Sequence, residues 1–260
     1  MKFTLYFLPL MCLLCHCSYD QTDSEELDCS NAMVILQPFN CEKNEDYARC
    51  SQKDGDYSIA LIIFRKCLNQ CDTTFELLMN TGDCLFKLDS TEQAEKHFAL
   101  ALELEPNHKK AHFNLAVVNY YSDELTKAQQ HIALAIKYND VEDDVYFGLA
   151  AEIEFFLDNL DKANELILKT MELAPTIAYY QRTYGAILEA KGEYQRSLDL
   201  SNRVLTSMDL STNDSIDFLG LKAMSLFLLG DSLEACEVND KIYELNHSYR
   251  FSEVFRFCDE

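Results

Sequence analysis

The stretch from Phe75 to His108, FELLMNTGDCLFKLDSTEQAEKHFALALELEPNH, decides the fold. Its second half places Ala94, Phe98, Ala101 and Leu102 at i, i+4, i+7 and i+8, one face of an α-helix. Thr74 to Leu88 has the same helical period, and Asp89-Ser90 supplies a polar turn between the two halves. Outward from Ala94, small residues recur at Ala60, Ala128, Ala163, Ser197 and Ala235, in steps of 34, 34, 35, 34 and 38. A second series leads the first by 12 or 13 residues: Ala48, Gly82, Ala116, Ala150, Gly185 and Ala223. Helix axes come within about 8–10 Å only where one side chain at the crossing is small. Two such series predict paired helices, repeated six times. Polar turns at Asp54-Gly55-Asp56, Ser122-Asp123, Lys191-Gly192-Glu193 and Gly230-Asp231 punctuate them.

This pattern resembles the tetratricopeptide repeat, whose unit of about 34 residues is an antiparallel helix pair. Gly82 matches the small residue of the first helix, Ala94, Phe98 and Ala101 match the A-x3-F-x2-A run of the second, and Pro106 ends the unit. Matching units span residues 41–74, 75–108, 109–143, 144–177, 178–212 and 216–249, the fourth with one extra residue near Ala150-Ala151. No unit has the family's first-helix Trp, and four lack the terminal Pro. The resemblance implies an all-α, right-handed α-α superhelix, a solenoid of about six such pairs. Residues 250–260 are read as a capping tail, with Phe251, Val254, Phe255 and Cys258 at i, i+3, i+4 and i+7.

Composition excludes other classes. The 260 residues carry 22 Lys+Arg against 44 Asp+Glu, a net charge of −22, which argues against nucleic acid and against docking on anionic lipid. Seven Gly and four Pro are too few for the turns of a β-sandwich or barrel. Walker, dinucleotide, G-x-S-x-G and H-E-x-x-H motifs are absent, so neither enzyme nor cofactor is expected. Glu105, His108 and His112 could suggest a metal, but the two histidines straddle a turn and read as surface polar residues.

The amino terminus reads as an export signal over residues 1–17. Lys2 precedes a 12-residue apolar run from Phe3 to Leu14, too short to span a bilayer. Two endings fit. Leu14-Cys15-His16-Cys17 resembles a bacterial lipobox, with Cys17 lipidated, although His16 departs from the pattern. Alternatively, cleavage falls before Ser18. Residues 18–40 then form an acidic tether and amino-terminal cap, with Asp20, Asp23, Glu25, Glu26 and Asp28 repelling one another and Ala32 to Leu36 lying against the first structured element. The expected place is the periplasm or outer membrane, or a secreted or lumenal one if the cell is eukaryotic, where the sequons at Asn213 and Asn246 would matter.

Export favours disulfides. Cys29, Cys41, Cys50, Cys67, Cys71 and Cys84 crowd the amino-terminal part and leave their pairing open; Cys67 and Cys71 share a helix face and are not expected to pair. Cys236 and Cys258 form a candidate pair at the far end. A redox or metal-handling factor built on these cysteines is the second functional reading.

By analogy with the family, positions 2, 5, 6, 9, 12 and 13 of each unit face the inner groove. This gives Met79, Asn80, Phe86, Phe113, Asn114, Val117, Tyr120, Tyr121, Phe147, Phe155 and Tyr179 as partner-binding residues, with Arg182 beside them. Glu42, Glu45, Asp83 and Glu154 would form an acidic rim. The leading expectation is a non-catalytic scaffold that holds a protein or peptide, partly apolar with basic charge, and meets membrane only through a lipid anchor.

Overall fold

The computed structural model describes residues 39–246 and Cys258. The signal segment, the lipidation expected at Cys17, the tether and the tail residues Phe251, Val254 and Phe255 lie outside the described residues. Twelve helices and no strand occur among those described: α1 (Cys41–Lys53), α2 (Tyr57–Gln70), α3 (Phe75–Lys87), α4 (Thr91–Leu104), α5 (Lys109–Tyr121), α6 (Leu125–Tyr138), α7 (Asp144–Phe156), α8 (Leu160–Leu173), α9 (Ala178–Ala190), α10 (Tyr194–Ser207), α11 (Thr212–Leu229) and α12 (Ser232–Leu245). They form consecutive helix pairs, as the spacing predicts. None of the described helices is long and apolar enough to cross a membrane.

The pairs are built alike. First helices have 13 residues and second helices 14, except α11 with 18. One residue in each turn within a pair adopts a left-handed conformation: Gly55, Asp89, Asp123, Asp158, Gly192 and Gly230, with φ between 57° and 91°. Glycine reaches this region without a steric penalty, and aspartate is among the few other residues that enter it readily. The same bond then closes all six turns. The amides of Asp56, Ser90, Glu124, Asn159, Glu193 and Asp231 donate to carbonyls five residues back at 2.8–2.9 Å, satisfying groups that the first helix leaves orphaned. Between pairs, side chains cap the incoming helix. Asn40, Thr74, His108, Asp143 and Ser211 each accept from an amide two or three residues on.

The small-residue series lies at the crossings. Ala48, Ala60, Ala94, Ala116, Ala128, Ala163, Ser197, Ala223 and Ala235 are fully buried. A β-carbon on Gly82 would stand 2.6 Å from Cε1 of Phe98, so hydrogen is all that fits there. One crossing residue and one boundary differ from the sequence reading. The extra residue of the fourth unit sits in the connection before α7, which runs from Asn139 to Asp143 where others have four residues; Ala151, not Ala150, therefore takes the crossing position. The sixth unit begins at Thr212 rather than 216, because Ser211 caps an added helical turn.

The chain divides into two compact units, at Pro106/Asn107. The first holds α1–α4. Cys41, at the start of α1, is disulfide-bonded to Cys71, which ends α2. Closing a loop across a separation of 30 residues stabilises the fold by about 3–4 kcal/mol in the chain-entropy picture. Cys50 is also disulfide-bonded, whereas Cys67 and Cys84 are free and buried. Cys67 fills a position where the next two units have Ala101 and Ala135. The second unit holds α5–α12, with one core around Ile167, Tyr180, Tyr184, Ile187 and Phe218 and another around Ala223, Leu226 and Val238. Cys236 of α12 is bonded to Cys258, which packs against the second of these cores.

Replacing Gly82 by Val drives two methyl groups into the Phe98 ring. The expected loss is about 1–3 kcal/mol, read as a lower urea midpoint. An unchanged midpoint would mean that the crossing is not where the register puts it.

Candidate functional site

In the second unit the first helices α5, α7, α9 and α11 contact one another in order and make one wall. Six of the expected groove residues come together there. Phe113 is buried and stacks on Tyr146 at 4.7 Å, and Val117 is buried a turn later. Tyr120 meets Phe156 edge-on at 5.8 Å and Tyr121 at 5.6 Å, and Phe155 meets Phe156 at 5.5 Å. Tyr179 and Arg182 stand on α9, with the guanidinium 5.0 Å over the Tyr179 ring. Asn114 is half-buried on α5. Met79, Asn80 and Phe86 lie on α3 of the first unit, buried or half-buried.

Two expected residues are not on this wall. Lys169 of α8 lies 4.1 Å over the Phe147 ring, so Phe147 faces the second helix of its own pair. Phe147 is the fourth residue of α7, one short of the fifth position that faces the groove. Glu154 is not a free rim carboxylate. It is buried, accepts from Gln129 Nε2 at 3.0 Å and Asn159 Nδ2 at 2.8 Å, and pairs with Lys162. Burial would raise its pKa, but these bonds outweigh burial and hold it below the ordinary value. Phe156, at position 13 of α7 and 42% exposed, is an aromatic side chain this wall offers to solvent, and the sequence reading did not name it.

Glu152, the ninth residue of α7, stands at a groove position that the sequence reading did not name, and it is only 1% exposed. Its Oε1 accepts from the Tyr179 hydroxyl and from Thr183 Oγ1 at 3.4 Å, and the Tyr120 hydroxyl lies near enough to help hold the carboxyl's pKa down. No hydrogen-bond partner reaches Oε2. Burial pushes this carboxyl up to about 7, against the pull of Arg182, Tyr120 and Thr183. Arg182 Nη1 instead bonds Asp217 Oδ2 of α11 at 2.6 Å, both side chains being 14% exposed. Burial also lifts Asp217 above its ordinary value, and Arg182 draws it back. At the other end of α9, burial pushes Glu189 up to about 8, although Ser225 donates to it at 2.8 Å and Ser197 at 3.5 Å.

Among the described residues, Glu105, His108 and His112 do not converge on a metal site. His108 caps α5, and His112 meets His131 with Nδ1 atoms 3.1 Å apart. Glu45, Cys67 and Cys71 place ligand atoms within 4.8 Å of one another, but Cys71 is spent in its disulfide. Burial raises the free thiols of Cys67 and Cys84 to about 11 and about 12, so neither is a ready thiolate near neutrality.

Glu152 and Glu189 bind a proton more tightly folded than unfolded. Between their ordinary value of 4.5 and their folded values of about 7 and about 8, the folded state holds the extra protons, so stability falls as pH rises through that window. Thermal melts across the window should show a shallower decline for the Glu152→Gln, Glu189→Gln double variant than for the parent. Parallel declines would contradict the burial of these carboxyls.

No family model matches the chain. Human tetratricopeptide repeat protein 16 is 24% identical over 160 residues, covering 59% of this chain and 18% of that protein. The match thus takes in under a fifth of the relative's length. Among solved structures, Pseudomonas aeruginosa pilF superposes with a TM-score of 0.67 at 13% identity, covering 84% of this chain and 96% of that one. YrrB, described as a tetratricopeptide-repeat protein with an unusual peptide-binding site, superposes with a TM-score of 0.59 at 17% identity, covering 72% and 93%. With six helix pairs in register and these likenesses, the chain has the fold of the tetratricopeptide-repeat proteins.

Proposed function

We propose that this chain is a non-catalytic scaffold that holds a polypeptide partner on the first-helix wall of its second unit. The observation that carries the reading is the aromatic run of Tyr120, Tyr121, Phe155, Phe156 and Tyr179 on adjoining helices, with Phe156 left exposed. Large aromatic side chains with few rotors dominate interface energetics, and a wall of first helices gives them a common direction. The peptide-binding site described for YrrB lends support by likeness of fold. The net charge of −22 selects against acidic partners. The high pKa values of Cys67 and Cys84 speak against the redox alternative.

The proposal includes export, with a lipid on Cys17 holding the protein to the envelope. It rests on the apolar run from Phe3 to Leu14 and on the disulfides of the folded part. Mass spectrometry of the mature protein decides it: a first residue of acylated Cys17 supports the anchor, and a free Ser18 overturns it.

For the binding wall, a partner captured from envelope extract is titrated against the parent and against Phe156→Ala and Tyr121→Ala. Each substitution should cost about 1–2 kcal/mol of binding while leaving the melt nearly unchanged. Lowered stability with binding intact would make these rings core and move the partner elsewhere.

A further inference from the structure

We infer that the first-helix wall of the second unit contains a seat for an arginine or lysine side chain of the bound polypeptide, formed by Glu152 of α7 and Asp217 of α11 on either side of Arg182 of α9. The inference deepens the polypeptide-binding reading and rests on it.

The seat is defined by an imbalance. Two carboxylates, both withdrawn from water, share one guanidinium. Arg182 pairs with Asp217 at 2.6 Å, and Glu152 is left with an Oε2 that accepts nothing. A buried carboxylate oxygen without a donor carries most of its desolvation cost uncompensated. The hydrogen bonds of Glu152 come from the neutral hydroxyls of Tyr179 and Thr183 on α9, with the Tyr120 hydroxyl of α5 beside it and the Arg182 charge nearby. One more cation would complete the cluster.

Arg182 already shows which cation fits. Its guanidinium lies over the Tyr179 ring and bonds a carboxylate, the combination by which a planar cation is held between an aromatic face and an acid. A partner's arginine that takes Asp217 frees Arg182 to turn to Glu152, and both acids are then matched. An acidic peptide meets the opposite: it must displace Asp217 from Arg182 and leave both carboxylates unpaired. The surplus of negative charge over the whole chain draws a basic segment in from a distance. Burial holds the Glu152 carboxyl at about 7 and also raises Asp217. A cation seated beside Glu152 favours its ionised form, so affinity rises with pH through neutrality.

The test uses the folded chain and three fluorescein-labelled peptides of alternating leucine and arginine, leucine and citrulline, or leucine and glutamate. Anisotropy is read at physiological salt. The arginine peptide should bind at least about tenfold more tightly than its citrulline counterpart, and the glutamate peptide should not bind. Glu152→Gln with Asp217→Asn should remove that tenfold preference, whereas Arg182→Gln should tighten the arginine peptide severalfold by vacating the seat. Neutralising exposed Glu237 of α12 should change nothing. In the parent, the arginine peptide alone should bind more tightly as pH rises from about 6 to about 8. That measurement, together with Arg182→Gln, decides the matter if the double variant fails to fold.

Undiminished preference in a folded double variant, or weaker binding with Arg182→Gln, would overturn the seat. So would a preference lost equally on neutralising Glu237, which would mean attraction to overall charge. Equal binding of arginine and citrulline peptides, both lost with Phe156→Ala, would overturn the seat and keep the polypeptide wall. Binding that no wall variant alters would overturn both.

Discussion

Between the backbone at Gly82 and the ring of Phe98 there is no space for a single methyl group. The other features of the helix pairs follow from crossings of this kind. A helix of 13 or 14 residues is marginal alone in water and gains its stability from packing. Packing two such helices tightly requires a small residue on each, one turn-length apart from the loop. Once Ala, Gly or Ser occupies those places, larger neighbours such as Phe64, Phe98 and Ile132 fill the flanks and become fully buried or nearly so. A pair still leaves one apolar face uncovered, and only the next pair can cover it. The spacing of small residues along the chain is thus a record of helix contacts.

Loop chemistry enforces the same spacing. The left-handed residue between paired helices reverses the chain in two or three residues, and the amide that follows closes the first helix. Three turns use glycine and three use aspartate. Ser197 shows the crossing and the polar interior meeting. It keeps the small size that the crossing demands, and its hydroxyl reaches Glu189, a carboxyl that burial holds largely protonated.

Much of this was legible before any coordinates. The period, the pairing and the turns come from one-residue properties: size, helical phase and tolerance of a left-handed backbone. What failed was phase within α7. Small residues stand side by side at Ala150 and Ala151, so size alone does not say which one faces the crossing. The added residue lies in a loop that the pattern of small residues does not mark. One place of error rotates a helix by about 100 degrees, enough to exchange Phe147 for Gly148. The turn at Leu157-Asp158-Asn159, which holds no glycine, is likewise one that the sequence reading did not name. Glu154 was misread for a different reason. A carboxylate on a helix reads as solvated unless its partners are known, and here they come from α6, the following turn and α8.

Function was legible only in outline. Aromatic residues on first helices serve equally as helix packing and as a partner surface, and sequence does not separate the two; exposure does, and it singles out Phe156. The charge cluster of Glu152, Arg182 and Asp217 joins three helices and appears only when they are assembled. All of this depends on the six turns being closed as described. Hydrogen exchange of the six turn amides, Asp56, Ser90, Glu124, Asn159, Glu193 and Asp231, tests that most directly. Protection of all six, matching the amides inside the adjoining helices, is the predicted result. Fast exchange at Asn159, with protection one residue away, would contradict the register on which the wall and its cation seat are built.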